Sequence, residues 1–306
     1  RCKNNPKIYK YFWWMDKRVP PASELITNPD GSIYHLHLHP HEIADTIITV
    51  GDQERVSQVS RHFDRIVHQQ HKREFITHTG YIGNKHLTVI STGIGPDNID
   101  IVLNELHALR HFDMHTHQPV AENRVFTIIR FGTSGAIQAD IEPGTLLCSA
   151  YAIGIDNVMH FYRQQPFADE VRLLETFNQQ CHLDKTITPY VYAADPTLLA
   201  HFSSVSMTGI TLTAPGFYAP QGRAVNLPLS HPEFYTDIQS FRHDEKRITN
   251  FEMETATMYG LCRLLGHRCL SFNVLLANRA TGKFHTHTDT AIDHMIDVGL
   301  ERILSL

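Results

Sequence analysis

Two hydrophobic periods alternate along the chain. Residues 43–50, Ile-Ala-Asp-Thr-Ile-Ile-Thr-Val, form a β-rich run ending at Gly51-Asp52, and residues 54–63 then carry Val56 and Val59 on one helical face. Residues 82–95 read as a hairpin arm turning at Gly83-Asn84, followed by a strand over 87–91 that runs into Thr92-Gly93-Ile94-Gly95. A helix follows, capped by Asp97 or Asn98, with Ile101, Leu103, Leu106 and Leu109 near helical spacing. Residues 125–129 are a nearly continuous apolar run, as in a strand buried on both faces, and end at Arg130-Phe131-Gly132-Thr133-Ser134-Gly135. Further strands are predicted over 144–152, 190–194, 209–214 and 269–276, and helices over 168–182, 196–203, 232–243, 252–266 and 288–305. The alternation predicts an α/β fold, a central mixed β-sheet flanked by helices. It reads as one domain over 31–306, preceded by an N-terminal extension over 1–30 with Pro20-Pro21 and a turn at Asn28-Pro29-Asp30-Gly31.

Composition narrows the partners. With 306 residues and 42% apolar content the chain can bury a core of its own. A balance of 27 Lys and Arg against 32 Asp and Glu argues against nucleic acid or an anionic membrane and toward a small molecule. No window reaches the roughly 18 apolar residues of a membrane span. Five cysteines without a CxxC pair indicate neither a disulfide framework nor a zinc knuckle, so a cytoplasmic location is expected. The 22 histidines raise a metal hypothesis, because His35, His37, His39 and His41 would share one face of a strand continuing past Pro40. His285, His287 and Asp289 would be further ligands of such a metal-dependent hydrolase. An HxH pattern is nevertheless weak in so histidine-rich a chain, and no metal site is expected.

Three clusters carry other chemistry. Glycine turns near Arg55, Arg73 and Arg130 make an anion site without the glycine pattern of a dinucleotide or P-loop fold, although each arginine taken singly is more often a salt-bridged surface residue. Glu252 and Glu254 open the predicted 252–266 helix two residues apart, hence on different sides of it. Glu252 would favour the helix dipole, while Glu254 would need donors such as sugar hydroxyls if buried. The loop from Phe217 to Arg223 combines aromatic rings with Gln221 and Arg223, suited to the polar edge of a planar ligand.

These motifs together resemble the nucleoside phosphorylases, most closely those that cleave uridine, over about residues 31 to 306. The matching segments are Tyr34-His35-Leu36, Gly51-Asp52 with Arg55, Arg73-Glu74-Phe75, Ser91-Thr92-Gly93-Ile94-Gly95, Arg130 with Gly132-Thr133 and Gly135-Ala136-Ile137-Gln138, Phe251-Glu252-Met253-Glu254, and Asn278-Arg279. The resemblance implies a three-layer fold and reversible phosphorolysis of uridine to uracil and ribose 1-phosphate. It implies that Gly51, Arg55, Arg130 and Thr133 bind phosphate, with Arg73 reaching in from a neighbouring subunit. His35 would cross the same interface to the ribose 5′-hydroxyl, Met253 and Glu254 would hold the ribose, and Gln221 with Arg223 would read the uracil edge. Phe217 and Phe251 would line the base pocket, with Arg279 nearby. The catalytic set is then Arg130, Glu254, Gln221 and Arg223.

The resemblance also implies a homo-oligomer, at least a dimer with shared sites. It requires no cofactor; inorganic phosphate is a co-substrate, and an interface monovalent cation near Glu74 occurs in some relatives. Purine-specific relatives carry a proton-donating aspartate where counting forward places Ala277, so pyrimidine selectivity is expected. The chain departs from the pattern at His37, Val50 and Pro220, the last stiffening the base loop and leaving tolerance for thymidine or 2′-deoxyuridine open. A broader-specificity phosphorylase, the metal hydrolase and a catalytically silent nucleoside-binding protein are the alternatives.

Overall fold

A computed structural model describes residues 18–121 and 124–306. Among them the strands are β1 (Thr46–Val50), β2 (Arg65–Lys72), β3 (Phe75–Ile82), β4 (Lys85–Ser91), β5 (Thr127–Ala136), β6 (Leu146–Gly154), β7 (Tyr190–Ala193), β8 (Met207–Thr213), β9 (Ile248–Glu252), β10 (Arg268–Asn278) and β11 (Lys283–Phe284). The helices are α1 (Gln53–Ser60), α2 (Pro96–His111), α3 (Ala168–Gln180), α4 (Pro196–Phe202), α5 (Phe234–Ser240), α6 (Thr255–Leu264) and α7 (Thr288–Leu304). The expected mixed sheet with flanking helices is present.

All strands join one sheet in the order β11-β10-β6-β8-β9-β5-β1-β4-β3-β2, with β7 on β6. Because β10 also pairs with β5, strands β5, β10, β6, β8 and β9 close into a ring. No pattern along the chain foretold that closure, which depends on one strand pairing on both edges. β1 runs parallel to both β4 and β5, so Val50 lies beside Ser91 and Thr49 beside Arg130. The carboxyl ends of these parallel strands therefore open together, the usual place for a ligand in an α/β sheet.

The core follows from the buried runs. Ile47, Ile48, Val89, Ile128, Ile129 and Leu270 belong to the main cluster, which the side chains of α2, α6 and α7 complete. A second cluster packs Ile153, Leu212 and Phe251 against Phe177 of α3 and Ile238 of α5. Residues 18–30 pack onto the domain: Leu25 is buried in the main cluster and Thr27 bridges Ile33. Residues 1–17 of the expected extension, Cys2 among them, lie outside the described residues.

Three expectations change. The strand expected from 43 begins at Thr46, because 40–42 form a single 3₁₀ turn. The segment 65–72 was not foreseen as β2, since nearly all of it is exposed and hydrogen bonding to β3 alone holds it as an edge. The predicted 252–266 helix starts at Thr255 because residues 248–252 are the buried strand β9. Its polar side chains concealed it: Thr211 Oγ1 donates to Asn250 Oδ1 at 2.9 Å, and Asn250 Nδ2 donates to Ser134 Oγ at 3.0 Å.

Candidate active site

Arg130 is the centre of the site. It lies near the middle of β5, 5% exposed, where an unpaired charge would be very costly. Its Nη2 donates to Glu254 Oε2 at 2.5 Å and its Nη1 to Asn273 Oδ1 at 2.9 Å, while Glu252 Oε2 stands 3.8 Å away. Burial alone disfavours the Arg130 charge, but Glu254 and then Glu252 override it and raise the group above its ordinary value. Burial likewise pushes the Glu254 carboxyl up against the pull of Arg130, and Glu252 adds to the rise. Gly132 makes room for the arginine, since a Cβ there would collide with both Arg130 Nη1 and Asn273 Oδ1.

The two glutamates do not occupy opposite sides of a helix, as the spacing had predicted. Glu252 ends β9 and Glu254 is the residue before α6, so the intervening turn aims both carboxylates at Arg130. Glu252 also accepts from the backbone N–H groups of Glu254 and Thr255, both at 2.9 Å to Oε2, and from Thr213 Oγ1 at 2.5 Å. It thereby supplies the side-chain acceptor for the first turn of α6. Glu254 Oε1 accepts from Gly95 N–H at 2.9 Å, and Gly95 adopts a φ of 102° open to glycine. The turn after β4 is thus tied to the carboxylate.

Arg55, on the first turn of α1, is buried beside this group. Its Nε has no hydrogen-bond partner among the described residues. Burial, and then the Arg130 charge, lower its pKa. Gly51 is at the preceding turn, which abuts Gly93 across the β1–β4 boundary. Thr133 is half-buried three residues beyond Arg130 on β5. Of the expected phosphate set, the end of β1 brings Gly51 and Arg55 close to Arg130, whereas Thr133 lies farther along β5.

Arg73 stands apart. It occupies the β2–β3 turn with a φ of 56°, exposed, and its guanidinium lies 5.9 Å from the Tyr34 ring. Tyr34 in turn meets His35 edge-on at 4.7 Å. The two residues expected to serve a neighbouring subunit thus share one surface patch of this chain. His35 is firmly held: Glu105 Oε1 lies 2.6 Å from its Nδ1, and the Glu105 carboxylate also accepts the backbone N–H groups of His35 and Leu36. Glu105 on α2 escaped the sequence reading because a single glutamate among leucines gives no motif.

The base-loop residues contact one another. Arg223 Nη1 donates to Gln221 Oε1 at 2.6 Å and to Phe217 O at 2.5 Å, and its guanidinium lies 3.8 Å from the Phe217 ring centroid. Arg279 Nη1 donates to Gln221 O, and Arg279 stacks at 4.5 Å on Tyr235 and 5.6 Å from Phe251. Burial, followed by repulsion from Arg279, lowers the Arg223 pKa to about 10. Arg279 is lowered chiefly by burial. Phe251 is buried and pairs with Gly135 of β5, so the base cluster lies along the same strand as Arg130. Met253 is half-buried between β9 and α6. Phe217 is 52% exposed and presents a face to Arg223.

The histidine run is not the expected strand. His37 takes a φ of 54°, Leu36 and Leu38 enter the core, and His37 Nε2 meets Asp30 Oδ2 at 2.9 Å. His39 and His41 stack at 5.7 Å and border an open cavity of about 800 Å³ that shares no lining residue with Arg55, Arg130 or Gln221. Among the described residues no three His, Cys, Asp or Glu side chains are placed to hold a metal ion.

The geometry combines a buried arginine pair, a carboxylate beside it and a second cluster of Gln221, Arg223 and Arg279 on the same mixed sheet. A profile of the phosphorylase superfamily matches residues 45–304, and the chain belongs to that family. It is 30% identical over 263 residues to a uridine phosphorylase of Thermococcus kodakarensis, covering 86% of this chain and 83% of that protein. It is 26% identical over 271 residues to a purine nucleoside phosphorylase of Geobacillus sp., covering 87% and 96%. A solved nucleoside phosphorylase of Trypanosoma brucei, described as showing uridine phosphorylase activity, superimposes with a TM-score of 0.85 at 30% identity, covering 92% of this chain and all of that one.

Proposed function

We propose that this chain is a pentosyltransferase that catalyses the reversible phosphorolysis of uridine to uracil and ribose 1-phosphate, in pyrimidine salvage. The observation that carries the reading is the buried Arg55–Arg130 pair, a concentration of positive charge with an open Arg55 donor, set beside Glu254. Arg55, Arg130, Thr133 and the Gly51 turn position the phosphate. Its oxygen forms a bond to the ribose C1′ as the C1′–N1 bond breaks and the electron pair leaves with uracil. Glu254 holds the ribose hydroxyls, with Met253 beneath the sugar. Gln221 and Arg223 stabilise the negative charge that develops on the base, in a site that is organised before reaction.

The relatives named uridine phosphorylase support the choice of base, as does Ala277, which offers no proton to a purine. Arg73 and His35 complete a neighbour's site in a homo-oligomer, their shared patch at Tyr34 being the support. An interface monovalent cation would lie near Glu74. The four described cysteines are free and buried, which fits a reducing cytoplasm. Uracil release from uridine, measured with and without phosphate and against inosine and thymidine, tests the reading. Phosphate-dependent release with uridine preferred is expected; preferred inosine cleavage, or release that needs no phosphate and stops with a chelator, would sink it.

A further inference from the structure

Asn273 lies in β10, directly opposite Gly132 of β5, in a register that also places Ser271 opposite Arg130. The space that Gly132 leaves open is filled by the contact between Arg130 Nη1 and Asn273 Oδ1. A guanidinium has no acceptor, so the amide oxygen must face it and the amide NH₂ must find another partner. Asn273 Nδ2 donates to Ser271 Oγ at 3.1 Å, and Thr255 Oγ1 donates to the same oxygen at 2.9 Å. Asn273, Ser271 and Thr255 are all fully buried. Polar side chains so placed are costly unless bonded, and here they form a connected network. It runs from Arg130 through Asn273, Ser271 and Thr255 to the adjoining residue Glu254, and back to Arg130.

The two acceptors on Arg130 differ in kind. Glu254 is charged and, under the functional reading on which this inference rests, must also take the ribose hydroxyls. Asn273 is neutral, has no solvent exposure and is tied to β10 by Ser271. We propose that Asn273 is the positioning residue of the phosphate subsite: it fixes the Arg130 guanidinium through Nη1 without neutralising it, while the Nη2 side exchanges between Glu254 and the incoming phosphate. The arginine then keeps one orientation in the empty and the filled site. Phosphate meets a donor array that is already aimed.

Two variants of the full chain test this, Asn273→Ala, which removes the acceptor, and Asn273→Asp, which keeps shape and acceptor but adds a charge that offsets Arg130. Both should raise the phosphate KM about tenfold or more, with Asn273→Asp the worse, while the uridine KM stays within about twofold. Equal rises in both KM values would mark a merely structural role and overturn the proposal, as would a phosphate KM within twofold of the unmutated chain in both variants. Titration calorimetry with inorganic phosphate alone separates this from the choice of nucleoside. If the unmutated chain releases no uracil, the functional reading falls, whereas roughly tenfold weaker phosphate binding by Asn273→Ala still supports the inference. Phosphate binding as tight as in the unmutated chain overturns it.

Discussion

The two halves of the site are built by different means. The proposed phosphate half is framed by paired strands: Arg130, Glu254 and Asn273 are each no more than 5% exposed, and main-chain pairing between β5 and β10 sets the spacing of Arg130 and Asn273. The base half hangs on the loop between β8 and α5, where Phe217 is half exposed and Arg223 is held through Gln221 and a carbonyl. Buried charge needs fixed partners, and a sheet supplies them. A planar ligand that enters and leaves needs a rim able to move, and a loop supplies that.

The contrast can be broken at several points. The largest loss is expected for Arg130→Ala: turnover should fall at least about 100-fold, on the scale of losing an electrostatic donor, and near-normal phosphate-dependent turnover would refute the assignment. Next, Gly132→Ala should displace the Arg130 guanidinium and lower kcat/KM for phosphate by about 10- to 100-fold, although no charge is removed. Unchanged phosphate kinetics would show that the close approach over Gly132 is dispensable. Arg223→Ala should lower kcat/KM for uridine by roughly tenfold to hundredfold, with the phosphate KM unmoved. A shared effect on both substrates would dissolve the division into halves. Phe217→Ala should do least, about two- to fivefold on the uridine KM, because this exposed ring contributes mainly a cation–π contact to Arg223.

Acid also acts away from the site. His107 of α2 and His267 are buried, their Nδ1 and Nε2 lie 3.1 Å apart, and Phe126 N–H donates to His267 Nδ1. Burial, with repulsion from His111, depresses His107 to about 2 and His267 to about 3. Both stay neutral in the fold while the unfolded chain takes up protons below about pH 6.5, so their contribution is complete above that pH and is lost as pH falls toward about 3. Stability should decline by about 1.4 kcal/mol per pH unit for each such histidine. Thermal unfolding of the unmutated chain and of His107→Leu between pH 7 and 5 checks this, with a shallower slope expected for the variant.

Part of this was legible along the chain. Arg130 could be singled out because an arginine ending an apolar strand demands a partner, and the glycine turns at 51 and 93–95 announced where backbone N–H groups would gather. The relation between Glu252 and Glu254 was misread, since a two-residue spacing means opposite faces in one helix but convergence across a strand-to-helix turn. Asn273 was passed over as one polar residue in an apolar run; the alternation Ser271-Phe272-Asn273 inside a buried strand was the available signal. The histidine alternation misled because a period of two signals a strand only if the backbone stays extended, and His37 does not.

The sequence by itself determined the α/β class and the family, because local periodicity and side-chain chemistry are carried in the chain's own order. Tertiary structure alone decided which acceptor each arginine meets. Asn273 and Arg130 are 143 positions apart. Only the parallel pairing of β5 with β10, and the missing side chain at Gly132, bring a neutral amide to one edge of the guanidinium while the turn after β9 brings a carboxylate to the other.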